Sequence, residues 1–124
     1  MSATDPNLLV PPLGPCIRYA MVKARREGKT LTLVSGYRSY AQQVGVRRAN
    51  CGSSDFDIYE KRSSDCNPPT AKPGTSNHQT GKAADMGGSK EWCATLLAPF
   101  HITRPVTGED WHFEWRGTSA ETDL

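Results

Sequence analysis

The stretch SNHQTGKAAD, residues 76–85, decides how this chain is expected to fold, and it acts together with the stretch GEDWH at residues 108–112. The two stretches supply two imidazoles and one carboxylate, from His78, Asp85 and His112. Such a set can hold a zinc ion and leave one coordination position open. The second stretch also contains Glu109, a carboxylate that can act as a general base in hydrolysis. The two stretches therefore predict one Zn²⁺ ion and a hydrolytic reaction.

The spacing within the first stretch excludes a helix. His78 and Asp85 are seven residues apart, which corresponds to about 10 Å along a helix axis. Two ligands at that separation cannot both reach one metal ion at about 2 Å. We therefore expect a loop that carries His78, a reversal at Gly81, and a short strand at 83–86 that carries Asp85.

In the second stretch, the alternation of a strand separates two of the candidate groups. We predict a strand at 111–116, and residues three apart on a strand point to opposite faces. Glu109 should therefore lie in a turn, with His112 on the strand itself. The core face of this strand is expected to carry Trp111, Phe113 and Trp115. Glu114, on the face of His112, is expected either to orient an imidazole or to form an ordinary salt bridge.

Hydrophobic periodicity and turn residues predict the remaining elements. Helices are expected at 16–27, at 40–49 after a Ser39 cap, and after Ser89; further strands are expected at 30–35 and 101–103. Because helices and strands alternate without a repeated βαβ unit, the predicted class is α+β. We expect one domain, 1–124, with an irregular lead-in at 1–14 and a flexible tail at 117–124.

The four cysteines indicate disulfide bonding. Cys51 and Cys66 bracket a segment with little capacity to form a core, and a disulfide there would close a loop of about 15 residues and contribute roughly 3 kcal/mol. Cys16 and Cys93 are then expected to pair by elimination. The alternative is four buried free thiols in a reducing cytoplasm, because disulfides persist outside it. The long loop at 50–75 is expected to be functional or stapled.

Charge and hydropathy exclude several kinds of partner. The formal net charge is +2, and the basic residues are scattered rather than gathered in the stripe typical of nucleic-acid binding. We therefore expect no nucleic-acid partner, and Arg47-Arg48 is interpreted as a solvated helix face. No apolar stretch is long enough to span a membrane, and no secretory signal is recognisable in the chain. We expect the protein to act as a monomer.

A third stretch, SGYRSYAQQ at residues 35–43, precedes the other two. The three stretches, in this order, resemble the motifs of the zinc D-Ala-D-Ala peptidase family, which includes VanX- and VanY-type dipeptidases and carboxypeptidases and phage L-alanyl-D-glutamate endolysins. The resemblance covers residues 31–116. It implies a small hedgehog/DD-peptidase-like domain, in which about three helices flank a central antiparallel sheet.

The resemblance also implies a role for each candidate residue. The zinc ligands would be His78, Asp85 and His112. Glu109 would take a proton from the attacking water and pass it to the leaving amine. Arg38 would stabilise charge on the scissile carbonyl oxygen or fix the substrate. Ser76 and Gln43 would help to hold the peptide or its terminal carboxylate.

The implied function is a zinc peptidase that hydrolyses the stem or cross-link peptide of bacterial peptidoglycan, as a D,D-carboxypeptidase or endopeptidase. An L-alanyl-D-glutamate endopeptidase, acting as a phage endolysin, is the alternative among enzymes, because the motifs build the zinc site rather than the specificity pocket. A non-catalytic zinc-containing binding module is the alternative of another class, and the presence of Glu109 favours catalysis. Either enzyme would act outside the cytoplasm or at the cell wall, as a secreted domain or a phage-released lysin.

Overall fold

The computed structural model describes residues 4–116. Its strands are β1 (Leu31–Ser35), β2 (Ala83–Gly88), β3 (Ile102–Thr103) and β4 (His112–Trp115), and its helices are α1 (Leu13–Arg26), α2 (Tyr40–Cys51), α3 (Asp55–Tyr59) and α4 (Lys90–Leu97). Across the described residues, the strands form one antiparallel sheet in the order β1-β2-β4-β3. This confirms the α+β class and the central antiparallel sheet. The tail expected at 117–124 lies outside the described residues.

One face of the sheet is covered by α1 and α4. The hydrophobic core lies between this face and the two helices. Ile17 and Ala20 of α1 are buried in the same core cluster as Leu33 of β1. Ala84 and Phe113 face the same core from the two central strands and are fully buried. Because alternate residues of a strand point to opposite faces, the neighbours of Ala84 and Phe113 point away from the core, toward the other face.

The lead-in is more ordered than the sequence indicates. A single 3₁₀ turn spans Pro6–Leu8, Leu9 is buried in the core, and α1 begins at Leu13. The helix can begin this early because Pro15 falls in its first turn, where a missing N–H costs no hydrogen bond. Within residues 4–116, no helix has the length and apolar character needed to cross a membrane.

The helix expected at 40–49 is present and continues to Cys51. Ser39 caps it in a reciprocal arrangement, in which the Gln42 N–H donates to Ser39 Oγ and the Ser39 N–H donates to Gln42 Oε1. Such a capping box satisfies two N–H groups at the helix start. The start of this helix matters for function because Arg38 directly precedes its cap.

The interpretation of Arg47 as a solvated residue is wrong. Arg47 lies on α2 and its side chain is completely buried. Its guanidinium donates to backbone carbonyls of the segment that follows the helix, which folds around the charge. Arg48, the next residue, is exposed as expected. The two arginines carry the same charge, so charge could not indicate which of them is buried. Arg47 is buried because acceptors 10 to 23 residues further along the chain surround its guanidinium.

One of the two predicted disulfides forms. Cys51 and Cys66 are bonded, which confirms that pairing. The pairing of Cys16 with Cys93 is wrong, because both are free thiols. Both pack with the apolar core, and burial raises the pKa of each thiol, that of Cys93 to about 11. They behave as small hydrophobic residues, so one disulfide and two free thiols occur in the same domain.

Removing the disulfide should destabilise the fold. Replacing Cys51 and Cys66 together by Ala is expected to lower the free energy of unfolding by about 3 kcal/mol, because the unfolded chain gains the freedom of a loop of about 15 residues. Urea denaturation followed by circular dichroism measures this change. Cys16→Ala is the control and should shift the free energy by less than about 1 kcal/mol. An unchanged urea midpoint in the double variant would show that the disulfide contributes nothing to stability.

Candidate active site

The pairing of the two central strands brings two of the predicted metal ligands together. Asp85 of β2 lies directly opposite His112 of β4. Both side chains therefore project from the same face of the sheet, the one turned away from the core. The Nδ1 atom of His112 lies 2.9 Å from Asp85 Oδ1.

The third predicted ligand arrives on the loop before β2. The chain turns at residues 77–82 and not in a helix, as expected from the spacing. Gly81 has φ of +73°, and a Cβ on it would lie 3.2 Å from the carbonyl oxygen of Leu8. Only glycine suits both that conformation and that close approach. The turn brings His78 Nε2 to 3.4 Å from Asp85 Oδ1.

The outer nitrogen of each imidazole has a partner of its own. His78 Nδ1 lies 2.7 Å from the carbonyl oxygen of Gly36, just after an irregularity in the β1–β2 pairing. His112 Nε2 lies 2.7 Å from Glu114 Oε2. These contacts direct His78 Nε2 and His112 Nδ1 toward Asp85. Partners of this kind fix the tautomer and orientation of metal-binding histidines.

The cluster fits a single metal ion. One ligand atom from each of His78, Asp85 and His112 can be chosen so that all lie within 4.8 Å of one another. Atoms bound to one tetrahedral zinc at about 2 Å lie about 3.3 Å apart, close to the 2.9 Å and 3.4 Å separations in this cluster. The donor set of two imidazoles and a carboxylate is also one that zinc accepts.

Without a metal, the charges of this cluster balance one another. Burial alone would lower the pKa of His112, but hydrogen bonds to Asp85 and Glu114 raise it to about 9. The hydrogen bond from His112 lowers the pKa of Glu114 to about 2. Burial opposes ionisation of Asp85, yet hydrogen bonds from His112 and His78 place its pKa well below the usual range. The metal-free site therefore holds a proton between ionised carboxylates.

Arg38 joins the cluster from the loop between β1 and α2. Its Nη2 lies 3.2 Å from Asp85 Oδ2, its Nε donates to Ser35 Oγ, and its Nη1 lies 3.3 Å from Gln43 Oε1. The backbone N–H of Arg38 also donates to the carbonyl of His78. Within residues 4–116, these contacts engage three of the five guanidinium N–H groups and leave two for another acceptor.

Ser76 and Gln43, the predicted substrate-binding residues, both line the cleft and are both buried. Ser76 Oγ accepts the N–H of His78, which shapes the turn that carries that ligand. Gln43 accepts from Arg38 and donates to the carbonyl oxygen of Ala71. Both side chains therefore support their neighbours in the site, and among the described residues Gln43 keeps one further donor and one further acceptor position beyond these two bonds.

Glu109 lies in the turn after Gly108, as predicted, and lines the same cleft as the histidines and Asp85. Its backbone N–H donates to the carbonyl of Val106, which closes this turn. Burial raises the pKa of Glu109 above its ordinary value, and the charge of His112 opposes that rise. A carboxylate with a raised pKa beside a candidate metal site is suited to accept and return a proton.

Two features of the site were not expected from the sequence. Trp111 lines the cleft instead of the core, because β4 begins only at His112 and its alternation does not extend to the preceding residue. Asn77 donates to Glu114 Oε1 and so helps to hold the carboxylate behind His112. The position of Asn77 beside His78 in the sequence was the only signal that could have indicated this contact.

The segment after α2 forms the far wall of the cleft. Pro68, Pro69, Thr70 and Ala71 of this segment line the same cleft as the His–Asp–His cluster, together with Asn50 in the last turn of α2. The loop at 50–75, expected to be functional or stapled, thus contributes to the cleft. The loop is also stapled, by the disulfide and by Arg47, and it contains the short helix α3.

Known structures share this fold. The D,D-pentapeptidase VanY of a VanB-type vancomycin-resistance cassette, solved as a mutant with Zn(II), is 20% identical, with a TM-score of 0.64 over 93% of this chain and 76% of that one. VanYB in complex with D-alanine-D-alanine matches equally well, over 75% of its length. The L,D-carboxypeptidase LdcB is 22% identical, with a TM-score of 0.58 over 90% of this chain and 63% of that one.

These likenesses show a fold that is shared with known peptidases. A family model described as D-alanyl-D-alanine carboxypeptidase, VanY, matches residues 17–107, and the chain therefore belongs to that family, as the motifs predicted. The matched range includes Arg38, His78 and Asp85 and ends just before Glu109 and His112. No curated protein sequence matches the chain.

Proposed function

We propose that this protein is a zinc-dependent peptidase that hydrolyses the peptide of bacterial peptidoglycan, in the manner of a D,D-carboxypeptidase or endopeptidase. The observation that carries the proposal is the convergence of His78, Asp85 and His112 on one point, with Glu109 beside them in a single cleft. Membership of the D-alanyl-D-alanine carboxypeptidase family supports this reaction and substrate class.

In this proposal His78 Nε2, Asp85 Oδ1 and His112 Nδ1 would hold the zinc. Zinc, when bound, polarises the scissile carbonyl and lowers the pKa of water. Gly36 and Glu114 keep the two imidazoles in the required orientation through their outer nitrogens. Asp85 Oδ2 remains paired with Arg38, so that only its other oxygen faces the metal position.

Glu109 and Arg38 carry the remaining steps. Glu109 accepts a proton from the attacking water and returns it to the nitrogen of the leaving amine. The two free N–H groups of Arg38 stabilise the negative charge that develops on the scissile carbonyl oxygen, or bind a terminal carboxylate. We propose that Ser76 and Gln43 assist in holding the peptide, Gln43 through its support of Arg38.

The relatives support the proposed substrate class, and the disulfide supports the proposed compartment. VanYB is known in complex with D-alanine-D-alanine, and LdcB is an L,D-carboxypeptidase with a structure bearing on peptidoglycan recognition. The Cys51–Cys66 bond supports a working place outside the cytoplasm. We therefore propose an extracytoplasmic or cell-wall enzyme that takes a stem peptide containing D-amino acids.

Mass spectrometry of peptidoglycan fragments after digestion tests the substrate. Loss of one terminal D-Ala indicates a carboxypeptidase, and separation of cross-linked stems indicates a D,D-endopeptidase; both support the proposal. Cleavage after L-Ala indicates the L-alanyl-D-glutamate endopeptidase instead. Intact fragments after incubation with the zinc-loaded protein would reject the proposed function.

Zinc binding should depend on pH. In the metal-free site His112 keeps its proton until the pH approaches about 9, and zinc must displace the proton on Nδ1. The zinc affinity is therefore expected to rise about tenfold per pH unit between pH 7 and 9. Chelator-buffered titrations at several pH values measure this slope. An affinity independent of pH over that range would contradict the ligand assignment.

A further inference from the structure

A polar stripe runs along the buried face of α2. Gln43, Arg47 and Cys51 recur every four residues, and these three are the buried residues of the helix. Residues four apart lie one above another on a helix. A face that packs on a neighbour is normally apolar, so this helix is attached to its neighbouring segment by polar and covalent contacts rather than by hydrophobic ones.

Each member of the stripe binds the same segment of the chain. Cys51 is bonded to Cys66, and Gln43 Nε2 donates to the carbonyl oxygen of Ala71 at 2.8 Å. Arg47 stands between them and makes the most contacts. The segment between Cys51 and Ala71 is therefore fastened to α2 along its length and at its end.

The guanidinium of Arg47 uses all of its donors. Nε donates to the carbonyl of Ile58, Nη1 to the Thr70 carbonyl and Cys66 Sγ, and Nη2 to the carbonyls of Asp57 and Lys61. A guanidinium has five N–H groups, and five acceptors surround this one. The side chain is fully buried, so the segment folds around a cation supplied by the helix.

These contacts lead directly to the cleft. The carbonyl of Thr70, which Arg47 holds at 2.7 Å, belongs to a residue that lines the cleft. The next carbonyl, that of Ala71, is held by Gln43, whose oxygen contacts Arg38. Pro68 and Pro69, just before Thr70, form the rest of this wall. The position of the wall relative to the His–Asp–His cluster therefore depends on Arg47.

We propose that Arg47 is a positioning residue, which fixes segment 68–71 as the substrate-binding wall of the cleft without itself touching the reacting atoms. The inference rests on the proposed peptidase function. The inference gives a function to a buried charge. If this position served packing alone, an apolar side chain could occupy it at a lower cost of desolvation. Arg38 keeps Ser35 and Asp85 as partners when the wall moves, so the chemical step should be affected less than peptide binding.

Steady-state kinetics on a peptidoglycan stem peptide test this role, with Arg47→Met and Arg47→Lys compared with the parent protein. Arg47→Met is expected to raise KM about tenfold or more while kcat stays within about threefold and the zinc content is unchanged. The KM of Arg47→Lys should lie between those of the parent and of Arg47→Met, because an ammonium offers three donors from one atom. Arg48→Met removes the same charge from an exposed position of the same helix and should leave both constants unchanged.

A folded Arg47→Met variant with the parent KM would overturn the inference, and so would a variant in which kcat falls and KM does not change. If Arg47→Met does not fold, the variant with Cys51 and Cys66 both replaced by Ala loosens the same wall. A raised KM in that variant supports the inference, and an unchanged KM overturns it. An active parent with unaffected variants rejects only the positioning role, whereas a parent that cleaves no peptide rejects the proposed function itself.

Discussion

Replacing Glu109 by Gln is expected to lower kcat for peptide hydrolysis by about 10²- to 10⁴-fold, the range that a general acid–base group contributes. The amide keeps the size of the side chain but cannot accept the proton of the attacking water. Because Glu109 lies outside the His–Asp–His cluster, the zinc content should remain that of the parent protein. Hydrolysis rates and metal analysis on the same preparation measure both quantities.

Asp110→Asn is the matched control for Glu109. Asp110 follows Glu109 in the turn, is exposed and pairs with Lys90. This change removes one carboxylate from the same turn without entering the cleft, so kcat should stay within about twofold, as for surface substitutions generally. A Glu109→Gln protein that hydrolyses the peptide at the parent rate would refute the proposed base.

Replacing Asp85 by Ala is expected to remove both bound zinc and activity. Asp85 contacts His78, His112 and Arg38 at once, so its loss removes a metal ligand and leaves the two imidazoles and the guanidinium without their shared anion. The zinc affinity should fall by more than the about 10- to 100-fold that is typical when only a hydrogen-bond partner of a ligand is removed. Hydrolysis should become undetectable.

Metal analysis after equilibration with a weak chelator measures the effect of Asp85→Ala. Asp65→Asn removes a carboxylate from an exposed loop position that pairs with Arg62, and it should retain parent zinc content. If the Asp85→Ala protein kept the same zinc content as the parent, the metal would have to be held elsewhere.

The geometry of the site was largely predictable, because simple rules of strand and helix geometry acted on few residues. The seven-residue spacing of His78 and Asp85 excluded a shared helix, and the turn at Gly81 followed from that exclusion. Strand alternation placed Glu109 in the turn and His112 on β4. The β2–β4 register, which puts Asp85 opposite His112, could be expected only in outline.

The parts that the sequence did not reveal depend on contacts between distant segments. Arg47 was interpreted as solvated because its acceptors are backbone carbonyls, which every sequence contains and no pattern distinguishes. Cys16 and Cys93 were paired by elimination, although a buried thiol is stable in a core without a partner. Trp111 was assigned to the core because the alternation of β4 was extended to it, but that strand begins one residue later, at His112.

Zinc dependence of hydrolysis is the most direct test of the account. The protein is assayed on purified peptidoglycan as isolated, after removal of metal with a chelator, and after addition of one equivalent of Zn²⁺. We expect hydrolysis to be lost on chelation and restored by that single equivalent, because His78, Asp85 and His112 form one metal-sized cluster. Hydrolysis at an undiminished rate by the metal-free protein would contradict the account.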